Sequence, residues 1–365
     1  MPLPVRLLSA VVVSYRSAAL AVRCVSTLRA DAARAGVPLE VVVVDNSAEP
    51  GERALLGALP GVRYLPLDTN AGYAGGLVRG ASEAKGEVLL LANPDLVFAP
   101  GSLAPLLEAL SIPGAGAAGP RFTWDEEGHW LLPPLWVPSL RRELAKALAL
   151  SRLGLRSPLL RDWRALALSH WEAREPTPVH GLVGALLAVP RGVWDRVGPF
   201  DARYPLYFED TDWSVRAVRA GWKLLLVPRS RVVHDHGGST GQESEASAAR
   251  WVASEEMFRS LHLSLLGRTL GRVAAALLPP SSRPELPIAR PPVRLEWREA
   301  GRALLELTTM PEGVPAAGRF VDGRSFDLTG PDWERLPAGD LFLRVTDRAS
   351  GAVLARAAFR KETGS

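Results

Sequence analysis

Along the N-terminal part of the chain, unbroken apolar runs of strand length alternate with segments of helical period. Leu8 to Ser14 reads as a strand, Ser17 to Gly36 as an amphipathic helix closed by glycine, and Leu39 to Val44 as a second, nearly all-valine strand. Continuous β-branched runs predict strands covered on both faces. Val62 to Leu65, a glycine-rich turn into a helix around Gly75 to Ala84, and Val88 to Ala92 continue the alternation. This order predicts a mostly parallel sheet of βα units, in which ligands bind beyond the C-terminal ends of the strands. Three segments fall at such ends: Ser14-Tyr15-Arg16, Asp45-Asn46-Ser47 and Asn93-Pro94-Asp95.

Residues 121–178 break the pattern. Trp124, Trp130, Trp136, Trp163 and Trp171 stand there beside Arg141, Arg142, Lys146, Arg152, Arg156, Arg161 and Arg164, which predicts an inserted helical flap. Leucine and alanine interleaved with arginine make either a basic surface for anionic lipid headgroups or the solvent face of a lid. A strand follows from Trp222 to Val233, and a last helical stretch runs from Ala246 to Leu278. Residues 279–291 are proline-rich and read as a linker. Beyond them Val293 to Glu299, Ala303 to Thr309, Arg319 to Val321, Asp340 to Thr346 and Ala352 to Phe359 predict short strands, with turns at Asp322-Gly323 and Ser350-Gly351. The expected organisation is a catalytic domain over 1–278, the linker, and a small antiparallel β-sandwich over 292–361.

Composition narrows the function class. At 365 residues and 47% hydrophobic, the chain can bury a sizeable core and carry an appended module. The single cysteine, Cys24, excludes an internal disulfide and a zinc site built from several thiolates, and its helical setting marks it as filler. A formal charge of +4 with mixed signs argues against nucleic acid as partner. The opening MPLPVRLLSAVVVSYR is broken by Arg6, and no charge-free window reaches the about 20 apolar residues that a membrane helix needs. The expected location is therefore cytoplasmic, with peripheral contact on the inner face of the membrane if residues 140–170 form the basic surface.

The candidate chemistry sits in four places. Asp45 would emerge at a strand end, able to accept hydrogen bonds from a base or ribose, or to serve as a turn aspartate. Asn93-Pro94-Asp95 puts a carboxylate where a hard divalent cation with oxygen ligands could meet a diphosphate. The stretch Asp68 to Gly76, leading into a helix with Arg79, offers glycine backbone and amides to a phosphate, but lacks both the dinucleotide fingerprint and the phosphate-loop lysine. In YFEDTDW, Glu209, Asp210 and Asp212 follow two aromatics, and His234 ends the next strand before Asp235-His236-Gly237-Gly238. A helix N-terminus enriched in acids, with a satisfied core histidine, is the competing account.

Taken in order, these segments resemble glycosyltransferase family 2, the inverting enzymes of GT-A fold, and especially its bacterial rhamnosyltransferase-like and galactofuranosyltransferase-like branch. VVVSYR is similar to that family's opening strand, VVVVDNSA to its second, DTNAGYAGGLVRG to its asparagine-and-glycine stretch, and NPDL to its DXD-type metal motif. HGLVGALLAVPRGVWDRVGPFD resembles the segment lining the acceptor and donor sugar, and YFEDTDW the segment with the catalytic base. The likeness covers roughly the first two thirds of the chain, and departs from the family at Leu77-Val78 and at Asn93, which opens the DXD-type motif.

The resemblance implies an α/β, Rossmann-like GT-A domain and a nucleotide-sugar transferase using Mg or Mn. It implies Asp210 as catalytic base, and Asp95 and His234 as metal ligands. Donor contacts would come from Ser14, Tyr15, Arg16, Asp45, Asn70, Gly72, Arg79, Asn93 and Asp95, and acceptor or sugar contacts from Gly184, Glu209 and Trp213. The implied partners are a dTDP-, UDP- or GDP-linked donor and a glycan or lipid-linked acceptor in cell-surface polysaccharide synthesis; a homodimer is a further expectation. Two competing readings are a non-catalytic carbohydrate or lipid-carrier binding protein and a nucleotidyltransferase, which should carry a basic glycine-rich loop where this chain has Ser14-Tyr15-Arg16-Ser17.

Overall fold

All seven residues of the first strand are buried, and the burial of each valine or leucine there contributes about 1.5–3 kcal/mol. The elements run β1 (Leu8–Ser14), α1 (Ala18–Ala35), β2 (Leu39–Asp45), α2 (Pro50–Gly57), β3 (Arg63–Pro66), α3 (Gly72–Glu83), β4 (Val88–Ala92), β5 (Leu96–Phe98), α4 (Leu103–Ala109) and β6 (Ala115–Thr123). Next come α5 (Leu140–Leu150), α6 (Ser157–Trp171), β7 (Thr177–Val179), β8 (Leu186–Pro190), α7 (Arg191–Val197), α8 (Glu209–Arg219), β9 (Lys223–His234) and α9 (Ser244–His262). The C-terminal part holds β10 (Val293–Thr308), β11 (Ala317–Leu328), α10 (Gly330–Arg335), β12 (Gly339–Asp347) and β13 (Val353–Lys361). This computed structural model describes residues 5–150, 157–235, 244–264, 268–269 and 285–362. Arg152, Arg156, His236-Gly237-Gly238, much of the helix expected to reach Leu278 and the start of the 279–291 linker lie outside the described residues.

The chain divides into two units: Met1–Gly128 with Pro134–Val137 and Ser169–Ser264, and His129–Pro133 with Pro138–Leu168 and Leu265–Ser365. The first is the expected α/β sheet. Its strands lie in the order β3-β2-β1-β4-β8-β6-β9-β5, with β7 on β9. Strand β1 is parallel to β2 on one side and to β4 on the other, in registers that align Leu8 with both Leu39 and Val88. Antiparallel β8 follows, with Leu186 opposite Ala92, so the segment entering β8 arrives at the C-terminal end of β4. Strand β5 runs antiparallel to the end of β9.

The glycine-rich stretch serves packing as well as the site. A Cβ at Gly80 would lie 2.3 Å from Val11 Cγ1 and 2.9 Å from Val44 Cγ2, and one at Gly76 would lie 2.8 Å from Val13 Cγ1. Helix α3 thus approaches β1 and β2 at a distance that admits only glycine.

The second unit differs from the expected sandwich. Its described strands form a single four-stranded antiparallel sheet, β11-β10-β12-β13. The two strands expected between Val293 and Thr309 are one, β10, whose pairing with β11 shifts register between Glu296 and Gly301. Burial is continuous from Ala303 to Thr308, because helix α6 rather than a second sheet covers one face. There the fully buried Trp163 donates its indole N–H to Glu306 Oε1 at 2.8 Å, and Arg344 grips Glu306 Oε2 with two nitrogens, at 3.0 and 2.8 Å.

The flap expected over residues 121–178 is therefore helical, but its residues 138–168 belong with the C-terminal sheet. Three of the basic residues expected to form a surface there meet partners within that unit. Arg141 pairs with Asp162 at 2.5 Å, Lys146 lies 3.9 Å from Glu312, and Arg164 donates to Thr346 and to the carbonyls of Asp347 and Arg348. Among the described residues no helix is long and apolar enough to cross a membrane.

Replacing Gly80 by alanine is expected to destabilise the first unit by about 1–3 kcal/mol through overpacking against Val11. Urea unfolding of the variant, with Gly192→Ala as the control for a helical glycine whose added Cβ meets nothing within 4 Å, measures this.

Candidate active site

Because β5 turns back along β9 with Leu96 opposite His234, the preceding residue, Asp95, stands beside the imidazole. Asp95 Oδ1 and His234 Nε2 are 3.3 Å apart, both side chains being nearly buried. Asn93 Nδ2 lies 3.4 Å from the same nitrogen, and Phe122 packs on the ring with a centroid separation of 5.6 Å. An octahedral Mg or Mn ion with bonds of about 2.1 Å holds neighbouring ligands about 3 Å apart, so this carboxylate and imidazole fit a shared divalent cation. Behind them, burial and the charge of Asp95 push the Cys24 thiol up to about 12, so it stays protonated and is no nucleophile.

Asp210 is the second residue of helix α8, which follows an unusual turn. Tyr207 and Phe208 both adopt left-handed backbone, with φ of +65° and +67°, a conformation that costs non-glycine residues free energy and that persists only where surrounding structure enforces it. The turn delivers Asp210 to the segment entering β8. Its Oδ2 accepts the Gly184 N–H at 2.7 Å, and its Oδ1 accepts from the Thr211 N–H at 2.6 Å and the Thr211 hydroxyl at 3.1 Å. A Cβ at Gly184 would stand 2.6 Å from Asp210 Cβ, so only glycine permits this seating. Burial raises the Asp210 carboxyl above its ordinary range, against the opposing pull of these donors.

Three hydrogen bonds tie the two ends of the site together. The Asn93 N–H donates to Ala185 O at 2.8 Å, the Tyr73 hydroxyl donates to Gly184 O at 2.9 Å, and Gly184 N–H holds Asp210. Burial and the nearby charges of Glu209, Asp210 and Asp95 push Tyr73 well above its ordinary value, which marks it as the residue around which these acids gather.

At the ends of β1 and β2 the expected donor residues divide. Ser14 is fully buried, its hydroxyl 3.1 Å from that of Ser17, while Tyr15 and Arg16 reach the surface, with Arg16 lying over the Tyr15 ring and paired with Glu49 at 2.7 Å. Asp45 is fully buried and satisfied from within: Ser47 N–H and hydroxyl donate to Oδ1 at 3.0 and 2.6 Å, and Tyr64 donates to Oδ2 at 2.8 Å. Asn70 is exposed and accepts the Gly72 N–H at 2.8 Å, Gly72 taking the left-handed φ of +73°.

Two expectations are corrected. Arg79 is two helical turns along α3, about 10 Å from Gly72 at 1.5 Å per residue. It pairs with Glu83 at 3.0 Å, which also meets Arg63 at the start of β3, so Arg79 belongs to the far end of the sheet. Trp213 is fully buried, 6.2 Å from Trp194 by ring centroids, and donates its indole N–H to Gly198 O at 3.0 Å. Its place on the inward face of α8 gives it no surface for a sugar. Asp212, by contrast, is held by Arg216 at 2.8 Å and His262 at 2.7 Å, which docks α9 on α8 and keeps its carboxyl below the usual range despite burial.

Glu209 is 5% exposed and its Oε2 has no hydrogen-bond partner. The start of a helix favours its anion by about 0.3–1 kcal/mol. Removing a carboxylate from water costs several kcal/mol, so burial wins. Together with the neighbouring Asp210 charge, it pushes the Glu209 carboxyl up to about 8.

Sequence reasoning placed Asn46 at a strand end but gave it no role, and passed over Tyr73 and Thr211 beside the candidate site. Asn46 donates to Gly72 O at 2.9 Å and accepts the Ala71 N–H at 2.8 Å, clamping the glycine turn to the end of β2. Its signal was its place directly after Asp45 at the end of β2; Tyr73 had none beyond an aromatic among glycines.

The chain matches the model of glycosyl transferase family 2 over residues 9–154. It is 34% identical over 236 residues to an N-acetylglucosaminyl-diphospho-decaprenol L-rhamnosyltransferase of Mycobacterium tuberculosis, covering 60% of this chain and 74% of the relative. Solved structures are more distant. A mannosyltransferase of Pyrobaculum calidifontis in complex with GDP-Man and Mn2+ has 17% identity and a TM-score of 0.42, covering 74% of this chain and 75% of that one. GalNAc-T7 with UDP, GalNAc and Mn2+ has 15% identity and a TM-score of 0.46, covering 99% and 72%. Family match and mycobacterial relative agree with the ordered strand ends described above, and the chain belongs to glycosyl transferase family 2, as a glycosyltransferase.

Proposed function

We propose that this glycosyltransferase moves a sugar from a dTDP-, UDP- or GDP-linked donor to a hydroxyl of a glycan or lipid-linked acceptor, inverting the anomeric centre. The observation that carries the reading is the seating of Asp210 on Gly184 N–H, one residue from the carbonyl that anchors Asn93 beside Asp95 and His234. The mycobacterial relative's name supports rhamnose as the sugar and N-acetylglucosamine on a polyprenyl diphosphate as the acceptor. Such an acceptor supports work at the inner membrane face, in cell-surface polysaccharide synthesis.

Asp95 and His234 would hold Mg or Mn, which when bound supplies positive charge against the donor's diphosphate. Asn93, the turn at Tyr15-Arg16 and the backbone at Asn70 to Gly72 line the donor side. Asp210 takes the proton of the acceptor hydroxyl as its oxygen bonds to the anomeric carbon from the face opposite the leaving group. The bond from that carbon to the phosphate oxygen breaks, and its electron pair leaves with the nucleoside diphosphate. A raised carboxyl is a stronger base, while the Gly184 and Thr211 donors hold its oxygens in one orientation.

With dTDP-rhamnose and an N-acetylglucosaminyl diphospholipid, Asp210→Asn is expected to lower kcat by about 10²–10⁴ with donor KM unchanged. Wild-type turnover by this variant would remove Asp210 from the role of base. Gly184→Ala should reduce kcat in the same direction while circular dichroism stays native, since its Cβ displaces the Asp210 side chain. Exhaustive chelation is expected to abolish transfer and Mn to restore it, and His234→Ala should raise the Mn needed for half activity; full activity in chelator contradicts the metal assignment.

A further inference from the structure

Two neighbouring carboxyls at the start of α8 sit in opposite hydrogen-bonding situations. Asp210 receives three donors, and Glu209 Oε2, more than nine-tenths buried, receives none. The titratable groups that face Glu209 are Asp210 on its own helix and Tyr73 on α3, and neither is a cation. Among the described ion pairs no lysine or arginine reaches it, although Arg216 and Arg203 serve other acids nearby on the chain. A buried carboxylate with one oxygen unpartnered and no counter-charge, beside a second carboxylate, is the least favourable state open to this pair. Asp210 has the donors that support an anion; Glu209 has an oxygen that lacks a partner and stands at the strained turn that also delivers the base.

We propose that Glu209 keeps its proton and donates it in a hydrogen bond to an oxygen of the acceptor sugar, holding the attacking hydroxyl for Asp210. This deepens the reading given above and rests on Asp210 being the base. The neutral acid does no proton transfer in the reaction: its O–H stays intact, and the acceptor proton goes to Asp210. A neutral donor also leaves one negative charge at the turn rather than two, so the base meets the acceptor without a second anion beside it. The proton is lost as the pH rises through about 8, and donation is lost with it.

The test compares Glu209→Gln with Glu209→Ala, using dTDP-rhamnose and an N-acetylglucosaminyl diphospholipid across pH 6 to about 9.5. An amide retains an N–H donor of similar reach, so Gln is expected to recover most of an about 100-fold loss in acceptor kcat/KM seen with Ala, donor KM being unchanged in both. The fall in wild-type rate above about pH 8 should be absent from Glu209→Gln. Difference infrared spectra of the wild type at neutral pH should show a protonated-carboxyl stretch that Glu209→Gln lacks, a readout independent of any substrate. Thermal stability gives a second one: with its carboxyl raised on folding, Glu209 contributes stability at acid pH that declines as the pH climbs toward about 8, and Gln should flatten that decline. A Gln variant as inactive as Ala, an alkaline limb that persists in it, or no protonated carboxyl in the wild type overturns the proposal. Wild-type turnover by Asp210→Asn with collapse of Glu209→Gln would instead overturn the assignment of the base, and make Glu209 that residue.

Discussion

The site depends on the main chain of two consecutive residues, Gly184 and Ala185. Between them they offer one N–H and two carbonyls, and each is taken by a different element: Asp210 of α8, Tyr73 of α3, and Asn93 at the end of β4. Backbone groups can do this because they must be paired wherever they are buried. The segment reaches the end of β4 only because β8 runs against the parallel strands, with Leu186 opposite Ala92. Antiparallel insertion of one strand is thus what brings Asp210 and its helix to the strand end that carries Asn93 and Asp95.

Electrostatics then sorts the acids, and does so by hydrogen bonding more than by depth. Asp45, Asp210 and Asp212 are each supplied with donors, whether hydroxyls, amides, an arginine or an imidazole. Asp95 has the His234 nitrogen at 3.3 Å. Glu209 Oε2 has no such donor, and its residue sits between a left-handed turn and Asp210. Strain and an unsatisfied acid at one point are costs that packing alone does not explain, and they coincide with the chemistry assigned to the site.

Much of the first unit was legible because its signals are local. The valine runs at Leu8 to Ser14 and Leu39 to Val44 could only be strands buried on both faces, and the helix after Ser17 ends at Gly36 in the left-handed conformation that glycine accommodates without strain. Less was legible in the glycine stretch, where a phosphate cradle and a close helix contact ask for the same residue. Gly76 and Gly80 answer to valines of β1, and Gly72 to a turn. The C-terminal strands were recognisable, yet their partner layer was not: Trp163 reads as a flap residue until Glu306, far along the chain, is placed beneath its indole.

The residues by themselves determined the strand order's raw material, the acids at the strand ends and the kinship with family 2, since runs, turns and ordered motifs are properties of neighbours in sequence. Only the tertiary structure decided that Arg79 pairs with Glu83, that Trp213 is core, that Tyr73 bonds Gly184 and that Asn46 clamps the glycine turn. Those outcomes turn on pairings such as Tyr73 with Gly184, 111 positions apart. A hydrogen bond of that span is set by how sheets and helices close on one another, and no local propensity encodes it.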